Sequence, residues 1–124
     1  MRIPWIYTGD DGKSHFADLE VPMEPVNFGI AHPAIDGGRI LLREAPAGDR
    51  SYHHAPMRQF VIYLSGHTEI EVGDGEKRTF RKGDIMLADD VTGQGHITRD
   101  FEPGRQTVQI GLPDDLDVSA WVVK

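Results

Sequence analysis

Residues 48–66 read GDRSYHHAPMRQFVIYLSG. Glycine closes the stretch at both ends, and its second half, Gln59 to Leu64, is a short run of β-branched and aromatic residues. That composition suits a half-buried pleated surface, and six residues is a strand length, too short for a typical helix. The same pattern repeats along the chain. Short apolar segments lie at 39–43, 68–72, 77–80, 85–88, 96–98, 106–112 and 119–123, with turn-forming residues between many of them. VGDGE at 72–76 and LSGH at 64–67 supply tight corners, and RKGD at 81–84 supplies another. Only Phe16 to Glu20 offers a weak helix, because prolines at 22, 25, 33 and 46 break any helical run beyond it.

Many short strands with closely spaced turns predict an all-β, antiparallel sandwich or barrel. An alternating α/β chain needs crossover helices of about ten or more residues, and no segment supplies one. The usual nucleotide-binding folds are thereby excluded, and GDGEK at 73–77 reads as a hairpin turn, not a phosphate cradle.

At 124 residues the chain suits one domain, 1–124, with one core. The absence of cysteine removes disulfides, thiolate metal sites and thiol nucleophiles together. Any metal must then be held by histidine, carboxylate, amide or water. A formal net charge of −7 opposes binding to nucleic acid or an anionic membrane, and Lys77, Arg78, Arg81 and Lys82 read as solvated surface beside acidic residues. No apolar run has membrane-spanning length and no leader pattern opens the chain, so the cytoplasm is the expected compartment.

Six histidines are the first candidates for chemistry. His15, His32 and His67 lie in polar or turn segments and read as structural or exposed. His53 and His96 stand apart: one precedes the Gln59 strand, and the other opens a strand after DDVTGQG at 89–95. Antiparallel turns can return two such distant residues to one cavity. If the stretch stays extended, alternation groups His53 with Ala55, Gln59, Val61 and Tyr63, opposite Phe60, Ile62 and Leu64. This register turns His53 inward and leaves His54 at the rim, whereas a bulge at Pro56 would reverse them.

Across 48–66 and 83–96 the sequence resembles the cupin superfamily, small single-domain jelly-roll barrels of the RmlC-like kind, whose first motif carries His-x-His and a glutamate and whose second carries Pro-x-Gly and a histidine. Gln59 stands at the glutamate position, with Gly66 at the family spacing after it. Asp89, Asp90 and Val91 replace Pro-x-Gly, and His96 falls two residues later than the pattern. Each possible register keeps only one histidine of the His-x-His pair, His53 with Ala55 or His54 with Tyr52.

The resemblance implies an antiparallel jelly-roll barrel enclosing a site of His53, Gln59 and His96 that holds one divalent metal (Fe, Mn, Ni or Zn), with Tyr63 beside the catalytic histidines. Arg58, Asp89, Asp90 and His54 are then expected to bind substrate or support the ligands. A neutral glutamine compensates a cation poorly, so Asp89 or Asp90 would have to help, unless one of them instead ties down Arg58. The implied function is a small-molecule enzyme, a metal-dependent oxygenase or isomerase acting on a small polar or aromatic metabolite. The alternatives are a metal-independent isomerase or epimerase, in which a carboxylate orients a histidine that exchanges protons near neutral pH, and a non-catalytic binding protein. Ser51 is no nucleophile by this reading, since it lacks the Gly-x-Ser-x-Gly elbow. A homodimer is the expected assembly: Trp5, Ile6 and Tyr7 in the N-terminal segment can pack on a second copy or cover their own barrel. Trp121 reads as a packing anchor.

Overall fold

The computed structural model describes residues 1–124. In chain order the first strands are β1 (Arg2–Thr8), β2 (Ser14–Glu20), β3 (Glu24–Val26), β4 (Gly29–Ala31), β5 (Ile40–Ala45) and β6 (Gly48–His53). The remaining strands are β7 (Gln59–Tyr63), β8 (His67–Glu71), β9 (Lys77–Arg81), β10 (Ile85–Asp89), β11 (His96–Asp100) and β12 (Arg105–Gly111). One 3₁₀ turn, Ser119–Trp121, is the only helical element, and no helix is long and apolar enough to cross a membrane. The chain is all-β.

A six-stranded sheet runs in the order β2-β1-β10-β7-β12-β5, and a four-stranded sheet runs β6-β11-β8-β9. Strands β3 and β4 form a separate hairpin. Neither large sheet closes on itself, so the expected closed barrel is replaced by open sheets whose inner faces share one core. Nor is the pairing wholly antiparallel, because β1 runs parallel to β10 with Trp5 beside Leu87 and Tyr7 beside Asp89.

The period-2 alternation of the strands gives the six-stranded sheet two apolar faces. On β7, Gln59, Val61 and Tyr63 are buried on the inner side, and Phe60 packs on the outer one. On β10, Met86 and Ala88 point inward and Leu87 outward. The inner cluster joins Ile6, Phe16, Val61 and Met86 of this sheet to Ile70 and Phe80 of the facing one. The outer cluster, around Ile3, Leu19 and Leu87, is covered by Val118, Leu116 and Trp121 of the C-terminal segment. Complete burial of a Leu or Ile side chain is worth about 1.5–3 kcal/mol, so both clusters contribute strongly to stability.

Three local expectations are corrected here. Phe16 to Glu20 lies in strand β2, because seven residues pair with β1 from Arg2↔Glu20 to Thr8↔Ser14 and override a weak helical preference. Residues 119–123 form the 3₁₀ turn and contribute only the isolated bridge Leu19↔Val122. Residues 48–53, which are not among the expected strands, form β6. The N-terminal strand β1 has β2 on one side and β10 on the other, so it offers a second copy no free edge. Trp5 instead packs on the outer cluster and donates its indole N–H to Asp89 at 3.0 Å.

One backbone contact joins the loop before β11 to the end of β6. Gly95 has φ +78°, and a Cβ placed there would lie 2.0 Å from the carbonyl oxygen of His53. Its own carbonyl accepts the Ser14 hydroxyl at 2.7 Å. Only glycine allows both the left-handed backbone and this approach. Gly75 provides a comparison, with φ +94° and open space around it. Gly75→Ala is expected to lose about 1–2 kcal/mol of unfolding free energy from the backbone conformation alone. Gly95→Ala should lose clearly more in urea denaturation, because the added methyl must displace the β6 backbone; equal losses would contradict the contact.

Candidate functional site

Between the inner faces, on the side where edge strands β5 and β6 approach, lies a cavity of about 310 Å³. Val61, Ile70, Met86 and Ala88 form its apolar floor. Its polar wall on the four-stranded sheet consists of His53, His96, Thr98 and Arg50. Across from them, the six-stranded sheet contributes Gln59, Tyr63, Gln109, Arg43 and Arg105.

Two features bring the histidines together. His96 on β11 pairs in register with His53 on β6, and a register shift before Thr98↔Arg50 lets Arg50 and His53, three residues apart, both line the cavity. Their rings lie 4.6 Å apart, centroid to centroid, at 56°. His53 donates its Nδ1–H to the Ser51 carbonyl at 2.8 Å, which fixes the tautomer and leaves Nε2 as the acceptor. His96 directs Nδ1 at the Asp90 carboxylate, 2.6 Å away, again leaving Nε2 for the cavity.

Asp90 is fully buried, and its second carboxylate oxygen, Oδ1, has no hydrogen-bond partner. The carboxylate is therefore directed at His96, where it fixes the orientation of the ring and supplies a counter-charge to an imidazolium. The segment is held from the backbone as well, since the Ala55 N–H donates to the Asp90 carbonyl at 3.0 Å. The arrangement is a buried carboxylate orienting a histidine whose free nitrogen meets a cavity, the pairing used for general acid–base work.

The other predicted residues divide between cavity and frame. Gln59, Tyr63 and His54 line the cavity. Gln59 accepts from the Gln109 amide at 3.2 Å, and burial pushes the Tyr63 phenol well above its ordinary pKa, so it remains protonated. Asp89 and Arg58 lie outside it. Arg58 meets the Asp89 carboxylate at 3.0 and 3.2 Å and donates to the carbonyls of Pro113 and Leu116, pinning the C-terminal segment to β10. The acidic pair at 89–90 is thus split by strand alternation: Asp89 ties down Arg58, and Asp90 supports His96.

Sequence reasoning missed Arg39, Arg43, Arg50, Arg105 and Gln109 as lining residues. A signal was present in RILLR at 39–43, where Arg39, Leu41 and Arg43 share one face and Ile40 and Leu42 share the other. For β6 there was no comparable cue, because the register shift is a tertiary feature.

The donor set fits a divalent cation poorly. Two imidazole nitrogens and the neutral Gln59 oxygen, already engaged by Gln109, are joined by no carboxylate on the cavity wall. No group of three or more His, Asp or Glu side chains comes together with metal-binding geometry. Four arginines line the same space, so a cation would enter without anionic compensation.

No family profile and no curated protein matches the chain. Among solved structures it is similar to protein NMB1881 from Neisseria meningitidis, at 20% identity and a TM-score of 0.49, over 66% of this chain and 86% of that one. It is also similar to the conserved SPY1581 protein of unknown function from Streptococcus pyogenes, at 18% identity and a TM-score of 0.44, over 61% and 76% of the respective chains.

Burial, followed by the charges of His96 and Arg50, holds the His53 pKa below its ordinary value against the opposing pull of Ser51 and Asp90. The folded state therefore binds a proton at His53 less readily than the unfolded chain does. Its contribution is intact above the ordinary imidazole pKa of about 6.5 and is lost as pH falls through that value toward the lower folded one. Unfolding free energy measured from pH 8 to 5 should decline more steeply for the wild-type chain than for His53→Asn. Parallel profiles would show that His53 is not desolvated.

Proposed function

We propose that the chain is a cupin-like, metal-independent acid–base enzyme that moves a proton at carbon on a small polar metabolite, in the manner of an isomerase or tautomerase. The observation that carries this reading is the buried Asp90–His96 pair, with the remaining His96 nitrogen left for a cavity of about 310 Å³.

In this mechanism His96 Nε2 takes a proton from a carbon next to a carbonyl. The C–H electron pair moves through the carbonyl to leave an enolate oxygen, and the new imidazolium is stabilised by Asp90. Tyr63, Gln59 and Gln109 stand on the opposite sheet, where a protonated phenol and amide N–H groups can donate to that oxygen. Because His53 and His96 occupy the same sheet, a proton returned by either arrives on the face from which it left. This geometry favours a 1,3-shift over inversion at a single carbon, which would need a donor on the far side. The uncompensated cationic lining is what weighs against the metal-dependent oxygenase alternative.

A homodimer belongs to the same proposal, with a changed surface. The outer face of edge strand β5 exposes Ile40 and Leu42 at 69% and 76%, and the β3–β4 hairpin exposes Val26, Phe28 and Ile30. A second copy covering these side chains would remove an unprotected edge from water. Sedimentation should show a dimer that Leu42→Asp converts to monomer; a wild-type monomer at all concentrations contradicts this part.

The activity is tested by incubating the protein in D₂O with a panel of small keto and hydroxy acids and following C–H to C–D exchange by NMR. Exchange with at least one member is expected, unchanged by chelator and reduced about 10²- to 10⁴-fold in His96→Asn. Absence of exchange with every compound that binds would favour the non-catalytic reading, and exchange that survives in His96→Asn would sink the assigned base.

A further inference from the structure

The charge on the cavity is opposite to the charge on the chain. Of 13 Lys and Arg residues, four line this one cavity, whereas none of the 20 Asp and Glu residues does. Elsewhere three of five arginines are matched: Arg58 meets Asp89, Arg78 meets Asp18 and Glu76, and Arg99 meets Glu69 and Glu71, whereas Arg2 and Arg81 pair with no carboxylate. Within the cavity Arg105 is neutralised by Asp100, at 2.8 and 3.2 Å. Arg39, Arg43 and Arg50 have no carboxylate within salt-bridge distance and no side-chain hydrogen bond.

Their placement follows from topology. Arg43 lies on β5 and Arg50 on β6, the edge strands that flank the opening of the two sheets, and only residues 46 and 47 separate those strands. Arg39 extends the β5 ladder by one residue, its carbonyl accepting the Gly111 N–H at 2.8 Å. Three guanidiniums from both lips thus border the route to His53 and His96. Burial, reinforced by the charges of Arg43 and Arg105, lowers the pKa of Arg50, as expected where guanidiniums crowd without an anion.

We infer that this cavity binds a small dicarboxylate, held by Arg43 and Arg50 at one end and by Arg39 at the other. The inference deepens the proton-transfer reading by naming its substrate class, and it rests on this cavity being the site. Planar guanidinium forks match carboxylates in bidentate geometry, which explains arginine in place of lysine at all three positions. Arg39 and Arg43 are four residues apart on one face, about 13 Å along an extended strand, which suits two separated anionic groups better than one compact ion. Gly111, opposite Arg39, sits beside Gln59 in the ladder, so the Arg39 end is also the histidine end. A dicarboxylate spanning the arginines would bring the carbons next to its Arg39-bound carboxylate alongside the imidazoles. The field of three uncompensated cations would also draw such an anion toward an otherwise acidic protein.

Isothermal titration of the full chain at low ionic strength against succinate, glutarate and adipate tests the assignment, with butyrate, glutaramide and inorganic phosphate as contrasts. At least one dicarboxylate should bind saturably, about tenfold or more tighter than butyrate or glutaramide, and weaken as salt is added. Arg43→Gln and Arg50→Gln should each weaken it by about tenfold, with urea midpoints near wild type because neither side chain holds a structural partner. Glutaramide binding as tightly as glutarate, phosphate binding better than every dicarboxylate, or affinity unchanged in folded variants would each overturn the inference. The wild-type contrasts decide it even if a variant fails to fold. Dicarboxylate binding with no C–H exchange on any keto or hydroxy dicarboxylate would leave the inference standing and remove the proton-transfer reading. Exchange that dicarboxylates fail to inhibit would do the reverse.

Discussion

The close approach of Gly95 to the His53 carbonyl is the constraint on which the site depends. A methyl group in that space would lie 2.0 Å from the carbonyl oxygen, so any other residue would push β6 away from the start of β11. Ser14 secures the same glycine from the six-stranded sheet through its hydroxyl, which in turn accepts the Gly73 N–H at 2.9 Å. The next residue, His96, is thereby delivered against His53, and Asp90 reaches it from the other end of the 90–95 loop. Backbone geometry, not side-chain attraction, brings two polar rings together beside an apolar floor.

Two kinds of polar burial divide the interior. Arg105, Asp100 and Thr68 form a closed set in which the Asp100 carboxylate receives two guanidinium bonds and the Thr68 hydroxyl at 2.7 Å. Such a set is structurally complete and offers little to a ligand. Asp90 and His96 are incomplete by comparison, with Oδ1 unpartnered and Nε2 facing a cavity. An unsatisfied group of this kind is costly to bury, and it lies beside the cavity where the proton transfer is proposed.

The all-β class was legible because apolar runs such as Gln59–Leu64 and Ile85–Ala88 are too short for a typical helix and are set apart by turn-forming residues. The meeting of His53 and His96 in one cavity was legible in outline, although alternation related His53 to Gln59 only on the condition that the stretch stayed extended. His53 and Gln59 belong to different sheets, and they share a cavity because both inner faces look into it. Residues 14–20 were less transparent: Ala17, Leu19 and Glu20 carry helical preference that a seven-residue ladder overrides. The arginine ring could be read only in part, since Arg39 and Arg43 share strand parity but Arg50 enters through a register shift between β6 and β11. The split of Asp89 from Asp90 followed from alternation once β10 was placed.

In the proposed mechanism His96 is a carboxylate-oriented base with a free Nε2, operating without metal in a cationic cavity. Proton-detected NMR of protein labelled with ¹⁵N at histidine tests it directly, by recording the protonation of each His96 ring nitrogen with and without added Zn²⁺ or Ni²⁺. The expected result is a proton on Nδ1, strongly deshielded and shared with Asp90, no proton on Nε2, and no metal-induced change at stoichiometric ion. A proton on Nε2, or simultaneous stoichiometric shifts of His53 and His96 on metal addition, would contradict it.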